Sequence, residues 1–286
     1  YNTYAYHNYY GYFYDRKTYF QNLGFKTYKF CEDNIVKNCK MGDFFHASDE
    51  EMMKNTINEY INDDNFFVHY VTLSAHGVYK YDKNEVAHKY YDLVKDYDYP
   101  EELKVYLSAN IDLDRGLEYL VNELEKKDKL KDTVFVITPD HYPYYLNPLG
   151  LDVLNLRSDE NKNDKYNLHH NSLIIWNEKD ENKNIDNYAS NIDILPTMLN
   201  LFGFEYDSRL LIGKDILSSN DGLVIFSDNS WINKNGKYDA NTDTFFCADK
   251  CIVDKTYVDE INNYVKNATV ASSLIQKYDY YKYIQK

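Results

Sequence analysis

Three histidines, an arginine and an aspartate stand where chemistry is usually done. His7 follows the run Thr3 to Tyr6, His76 follows Phe66 to Leu73, and Asp140-His141 follows Val134 to Ile137. Each run reads as a strand. In an open sheet the carboxyl ends of parallel strands gather along one edge, so residues far apart in sequence can converge there. Asp140 and His141 place a carboxylate beside an imidazole, two ligand types that suit a divalent cation or a phosphate site. Adjacent residues of a continuing strand point to opposite faces, so the two share a ligand only if the chain turns after Pro139. The other reading is a solvated Asp-His turn. Arg16 opens a predicted helix, where a guanidinium and helix N-terminal amides can hold a phosphate between them. Its alternative is an exposed Arg on a helix surface. Each histidine taken alone also has a structural reading; the repeated placement just past a strand points the set towards function.

The elements that must hold these residues are visible as patterning. Val134 to Ile137 is apolar without alternation and mostly β-branched, the pattern of a strand buried on both faces of a parallel sheet. Pro139 cannot donate to a ladder and suits the end of such a strand. Phe66 to Leu73 reads as a second buried strand and Asn171 to Trp176 as another. His169 and His170 lie at the amino end of the latter, and face the active edge only if that strand is antiparallel or the loop folds back. Lys26 to Phe30 is a further strand. Pro100 to Lys127 is a helix: Leu113, Leu117, Leu120, Val121 and Leu124 mark one face, Pro100-Glu101-Glu102 makes a good first turn, and Lys126, Lys127 and Lys129 favour its C-terminal dipole. Strand, long crossover helix and strand imply parallel pairing.

Shorter signals fill in the remainder. Asp15 is expected to cap a helix from about Arg16 to Asn22 that Gly24 closes. After a loop containing Gly42, Ser48 and Glu51 form a capping box that opens a helix to about Ile61. Val78 to Tyr99 reads as loop with a short helix near Glu85 to Tyr91. Tyr144 to Asn167, broken by Pro143, Pro148 and Gly150, reads as an irregular excursion of the kind that forms substrate walls. Asp193 caps a helix Ile194 to Phe202 ended by Gly203. Leu223 to Phe226 is a short strand, and Val253 to Lys277 is a terminal helix open to a break near Ala268. The expectation is an α/β fold with a mostly parallel central sheet flanked by helices. It forms a single domain over residues 1–286, with room for a smaller C-terminal α+β layer from about residue 205.

The composition narrows the partners. A net charge of −14 excludes the basic footprint that nucleic-acid binding requires. The 32 tyrosines, with abundant Asn, Lys, Ile and Asp, read as codon bias rather than as an aromatic binding code. An anionic substrate must therefore be met by local cations or a metal. No apolar run approaches the roughly 18 to 20 residues of a membrane span. No Walker loop, dinucleotide fingerprint or nucleophile elbow is present. Cys31 with Cys39 and Cys247 with Cys251 form two close pairs without zinc-site neighbours. They read as two local disulfides of an oxidising compartment, or else as four free thiols.

Taken in order, these stretches resemble the sulfatase-like branch of the alkaline phosphatase superfamily. They are Val68-His69-Tyr70-Val71-Thr72-Leu73-Ser74-Ala75-His76, Asp112-Leu113-Asp114-Arg115-Gly116, Val136-Ile137-Thr138-Pro139-Asp140-His141 and Asn191-Ile192-Asp193-Ile194-Leu195-Pro196-Thr197 with its continuation to Gly203. Tyr6-His7-Asn8-Tyr9-Tyr10-Gly11-Tyr12-Phe13-Tyr14-Asp15-Arg16 is similar to the F-H-G-D-x-G-x-F-W-N-R motif of the lipoteichoic acid synthases and related phosphoglycerol transferases. The resemblance runs from residue 6 to about 220.

That resemblance implies a divalent cation, Mn²⁺ or another such as Mg²⁺ or Zn²⁺, on Asp140 and His141. It implies glycerol phosphate held by His7, Arg16 and His76, with Tyr14 in place of the motif's Trp, and His76 also as the group that protonates or orients an oxygen. It further implies a nucleophilic Thr and a Glu ligand upstream of Tyr1, so the chain is expected to be an excised portion that binds Mn²⁺ weakly and does not turn over. The implied reaction moves glycerophosphate from a phosphatidylglycerol-type lipid to a polyol or glycolipid acceptor hydroxyl. The implied location is the extracellular face of the cell membrane of a Gram-positive-type bacterium, with membrane contact made through the segments that precede Tyr1. Tyr9 departs from the motif's Asp. A sulfuric ester hydrolase and a non-catalytic binding domain with the same fold are the other readings.

Overall fold

The computed structural model describes residues 1–37, 39, 47–156, 165–249 and 251–284. The expected loop around Gly42 and part of the 144–167 excursion lie outside them. The chain divides into two compact units, Tyr1–Glu181 and Asn182–Lys286.

The first unit contains β1 (Asn2–His7), α1 (Arg16–Asn22), β2 (Thr27–Phe30), α2 (Asp49–Thr56), β3 (Phe66–Val71), α3 (Glu85–His88), α4 (Glu101–Lys126), β4 (Phe135–Ile137), α5 (Pro148–Val153), α6 (Lys165–Leu168) and β5 (Ile174–Trp176). Three strands form a parallel sheet in the order β2-β1-β3. Side chains on a strand alternate between faces, and β1 uses both. Tyr4 and Tyr6 face a core with Met52, Met53 and Ile57 of α2 and its extension, and with Leu120 and Leu124 of α4. Ala5 turns the other way, onto Phe20 of α1 and Phe30.

Coverage is less complete than the apolar runs imply. Phe66 to Leu73 is not buried on both faces: α1 spans seven residues, too few to roof its side of the sheet, and Phe67 and His69 stay exposed. Val134 to Ile137 and Asn171 to Trp176 are likewise half covered. Only Phe135–Ile137 and Ile174–Trp176 are strand, and they pair antiparallel with each other rather than parallel with β3. Phe135 and Trp176 pack into the core with ring centroids 5.5 Å apart, while Val136 is 39% exposed.

The long helix forms with its expected bounds, and its contact with α2 is close because position 116 is glycine. A Cβ there would meet Met53 Sδ at 2.7 Å and Glu50 Cα at 3.1 Å. The described part of the 144–167 stretch up to residue 156 is more regular than its prolines suggest. Asn147 accepts a hydrogen bond from Gly150 N at 2.8 Å and Pro148 takes the first helical position, so Asn147-Pro148 starts α5 rather than breaking the chain.

The second unit contains α7 (Ile194–Leu201), β6 (Val224–Ile225), β7 (Trp231–Asn233), β8 (Gly236–Asp239), β9 (Thr244–Cys247), α8 (Lys255–Lys277) and α9 (Tyr280–Ile284). It begins at Asn182, ahead of the position near 205 expected for a smaller layer. Its four strands form an antiparallel sheet in sequence order. Trp231 is fully buried and donates its indole N–H to Asn262 of α8 at 2.7 Å. The helix α8 runs without a break at Ala268. Asp193 does not cap α7. Its carboxylate accepts from Ser190 N and Lys214 N, both at 2.7 Å, and so ties the turn before the helix to a later loop.

Both cysteine pairs are disulfides, Cys31–Cys39 and Cys247–Cys251, with Cα atoms 5.2 and 5.8 Å apart.

Candidate active site

β1 ends in His7, which has no exposed surface. Its Nδ1 lies 2.9 Å from Val71 O and its Nε2 lies 3.0 Å from Arg16 Nη1. A carbonyl can only accept and a guanidinium can only donate, so the proton sits on Nδ1 and the ring is neutral. Burial pushes the His7 pKa down to about 4; the Val71 bond opposes this shift and the Arg16 charge adds to it.

Arg16 is reached through Tyr14 and Asp15, both left-handed at φ 53° and 52°. Two adjacent non-glycine residues in that region cost on the order of 1–2 kcal/mol each. The turn they make sends the guanidinium back to His7, across the rings of Phe13 and Tyr14 at 5.7 and 5.5 Å. It also explains why Asp15 does not cap α1 as expected: its carboxylate accepts from Thr18 Oγ1 and reaches no first-turn amide. Tyr14 is 80% exposed, so its ring lies beside Arg16 at the mouth of the site.

The exit of β3 is pinned by a residue on α2. Asp49, itself buried, accepts from Asn8 Nδ2 at 2.8 Å, Leu73 N at 2.8 Å, Ser74 N at 3.0 Å and Ser74 Oγ. Burial raises its carboxyl to about 6, against the pull of the Ser74 and Leu73 bonds. The first turn of α2 is held in turn by Asp112 of α4. Its carboxylate accepts from Ser48 Oγ at 2.9 Å, Asp49 N at 2.7 Å, Glu50 N at 3.1 Å and Lys89 Nζ at 2.8 Å. An anion at a helix N-terminus meets both orphan amides and the dipole. Ser48 accepts from Glu51 N at 3.1 Å, the forward half of the expected capping box, while Glu51 accepts from Lys37 N instead of closing it. Just beyond Ser74, His76 is exposed with Nδ1 2.8 Å from Gly77 O, and its ring is 6.0 Å from that of Tyr145. Gly77 permits this approach: a Cβ would meet the Tyr145 ring at 2.5 Å.

The chain bends at Asp140 and His141, as sharing a ligand requires. His141 Nδ1 is 2.8 Å from Tyr142 O, which leaves Nε2 facing Asp140 Oδ2 at 3.5 Å. Because β5 is antiparallel to β4, its amino end comes to this edge, and His169 lies 5.5 Å from Tyr142 ring to ring. His170 is exposed beside it. The Asp140 charge acts on Arg16, Tyr79 and Tyr144, and that of Tyr14 acts on Tyr144. His76 adds to the depression of His7. The exits of β1, β3 and β4 therefore gather within electrostatic reach of one another, bringing together all six residues selected from the sequence: His7 inside, Arg16 half-buried, and Tyr14, His76, Asp140 and His141 at the surface.

Asp49 and Asp112 are absent from that selection. Asp112 had a usable signal, since it falls on the buried stripe Val105, Ala109, Asp112, Gly116 at helical spacing. Asp49 had none, because an acidic first turn is ordinary.

A protein-family model for sulfatases matches residues 1–204. The chain belongs to the sulfatase family. This sulfatase-family chain is 26% identical over 220 residues to a lipoteichoic acid synthase of Staphylococcus saprophyticus, a match that covers 74% of the chain and 31% of that protein. Its fold superposes on the crystal structure of the lipoteichoic acid synthase LtaP from Listeria monocytogenes with a TM-score of 0.74 at 19% identity, covering 96% of this chain and 70% of that one. A protein in the alkaline phosphatase superfamily from Vibrio parahaemolyticus gives 0.66 at 20% identity, covering 95% and 65%. The fold is thus alkaline phosphatase-like, with a C-terminal antiparallel sheet. The chain spans about a third of the length of the curated relatives it matches.

Members of this superfamily typically bind a divalent metal. Asp140 and His141 fit two positions of such a shell: an oxygen and a nitrogen donor converge, and the second ring nitrogen is bonded to a backbone carbonyl, the usual arrangement behind a metal-binding histidine. Among the described residues no third His, Cys, Asp or Glu completes a cluster with them. The one such cluster, Cys31, Glu32 and Cys39, has its sulfurs in a disulfide.

Proposed function

We propose that this chain carries the anion-recognition side of a phosphoglycerol transferase of the lipoteichoic acid synthase type, acting at the extracellular face of a cell membrane. Its donor is a phosphatidylglycerol-type head group and its acceptor a polyol or glycolipid hydroxyl. The observation that carries this reading is the buried, neutral His7, whose only role for Nε2 is to accept from Arg16. A guanidinium so held keeps donors for two phosphodiester oxygens, and the low dielectric around it strengthens that bond. Phe13 and Tyr14 flank it, their ring centroids 5.7 and 5.5 Å from the guanidinium carbon. His76, at the mouth, would donate a proton to the oxygen of the departing alcohol, and the resulting neutral imidazole would accept the proton of the incoming one. Asp140 and His141 would hold the cation, Mn²⁺ being the expected one. Bound there, a divalent cation offsets charge on the transferring group and lowers the pKa of a coordinated hydroxyl.

Calorimetry with glycerophosphoglycerol, a phosphodiester, and with a sulfate monoester tests the reading, with and without Mn²⁺. The phosphodiester should bind, Arg16→Ala should weaken it about 10- to 100-fold as loss of a charge-assisted hydrogen bond does, and Asp140→Asn should abolish the effect of Mn²⁺. Preference for the sulfate monoester would move the assignment to sulfuric ester hydrolysis. Unchanged binding by Arg16→Ala would remove the anion site.

A further inference from the structure

We infer that Asp49 is a positioning residue of this site, locking the exits of β1 and β3 into one frame and thereby setting Arg16 relative to His76. The inference rests on the reading that those two residues meet one anion. Asp49 touches neither and lies in the core at the first turn of α2. Its carboxylate nevertheless reaches both exits. Through Asn8 Nδ2 it holds the residue that follows His7. Through Leu73 N, Ser74 N and Ser74 Oγ it holds the turn from which His76 projects, a turn also closed by His76 N donating to Leu73 O at 2.9 Å. Asn8 Oδ1 is buried with no hydrogen-bond partner among the described residues. Among the described residues the amide is thus oriented by Asp49 alone.

The geometry also explains why an acid is required. The partners Asn8 Nδ2, Leu73 N and Ser74 N are obligate donors, and an ionised carboxylate offers about four lone-pair sites. An amide at position 49 would turn its NH₂ towards one group of these donors and release it. The carboxylate is itself placed by Asp112, which bonds Asp49 N and Glu50 N, and by Lys89, which bridges Asp112 and Glu50 at 2.8 and 2.7 Å. The helix thus carries a rigid bracket from α4 to the sheet edge.

The test is Asp49→Asn, read by the His76 imidazole ¹H–¹³C correlation and by glycerophosphoglycerol affinity. The His76 signal should shift or broaden while the indole N–H signal of Trp176, packed on the core of the same unit, stays in place, and affinity should fall about tenfold. A general loss of stability would move both signals together. An unmoved His76 signal with parental affinity overturns the inference. If Asp49→Asn does not fold, Ser74→Ala decides: it removes one of the bonds and should shift His76 in the same direction with an affinity loss of about threefold, and an unchanged Ser74→Ala overturns the inference equally. If the parent binds no phosphodiester, the proposed function fails, while the His76 signal in the ligand-free variants still decides the role of Asp49.

Discussion

The neutrality of His7 can be tested by separating the jobs of its two ring nitrogens. Asn at position 7 reproduces a donor near Nδ1 for Val71 O but offers Arg16 nothing. Gln reproduces an acceptor near Nε2 but abandons Val71 O. His7→Asn is expected to keep most of the stability and to lose about 10- to 100-fold in phosphodiester affinity, the scale of a hydrogen bond to a charged group. His7→Gln is expected to keep the affinity and to cost about 1 kcal/mol. The pH dependence gives a second handle. The folded pKa of about 4 is depressed from the usual 6.5, so the folded protein binds fewer protons than the unfolded chain. The resulting contribution is fully present above pH 6.5 and is lost as pH falls towards 4. The gap corresponds to roughly 3 kcal/mol. Urea unfolding at pH 7.5 and pH 4.5, comparing the parent with either variant, isolates it because other groups titrate alike in both. The stability of the parent relative to either variant should fall by most of that amount at the lower pH, so that the variants become the more stable proteins there. A difference that does not change with pH would refute a buried neutral imidazole.

Two further outcomes follow from the packing behind the site. Gly116→Ala places a methyl against Met53 Sδ and the backbone of Glu50, and should lower stability by about 1–3 kcal/mol, the usual cost of overpacking; a thermal midpoint equal to or above the parent's would show that α2 and α4 have slack. Asp49 should act with the opposite sign to His7, since its carboxyl is raised from 3.8 to about 6 with Asp112 adding to the rise. Its contribution is present below pH 3.8 and lost as pH climbs through 6, with Glu50 and Lys89 the other charged groups around Asp112. The stability of the parent relative to Asp49→Asn should therefore fall between pH 4 and 7, and a rise over that range would sink the assignment.

Much of the site edge was readable because strand ends and residue chemistry are both local signals. His7, His76 and Asp140-His141 each close an apolar run, and parallel topology does the rest for β1 and β3. What lay beyond the sequence was coverage. The apolar run at Val134 cannot say whether a helix or solvent lies over it, and Val136 proves exposed. Direction was equally hidden: β4 takes an antiparallel partner, which brings His169 to an edge it would otherwise face away from. Pro148 misled because proline ends helices and also begins them, and only Asn147 before it separates the cases. In the second unit the strands around Asn233-Lys234-Asn235-Gly236 carried a turn signal between Trp231 and Tyr238 that alternation alone was too short to raise. The buried acids Asp49 and Asp112 depend on contacts 63 and 64 residues distant, which no local pattern reports.

That separation bears on when the site comes into being. β1 and β2 are joined within the first thirty residues, so Arg16 can be ordered early on a local parallel crossover through α1. The bond from His7 to Val71 spans 64 residues, and pairings of such high contact order form late because chain entropy is lost before they stabilise anything. A partly folded chain would therefore present the arginine without His76. A ligand gripping both should slow unfolding and leave the refolding rate untouched, making protease resistance in its presence a kinetic property of the finished sheet.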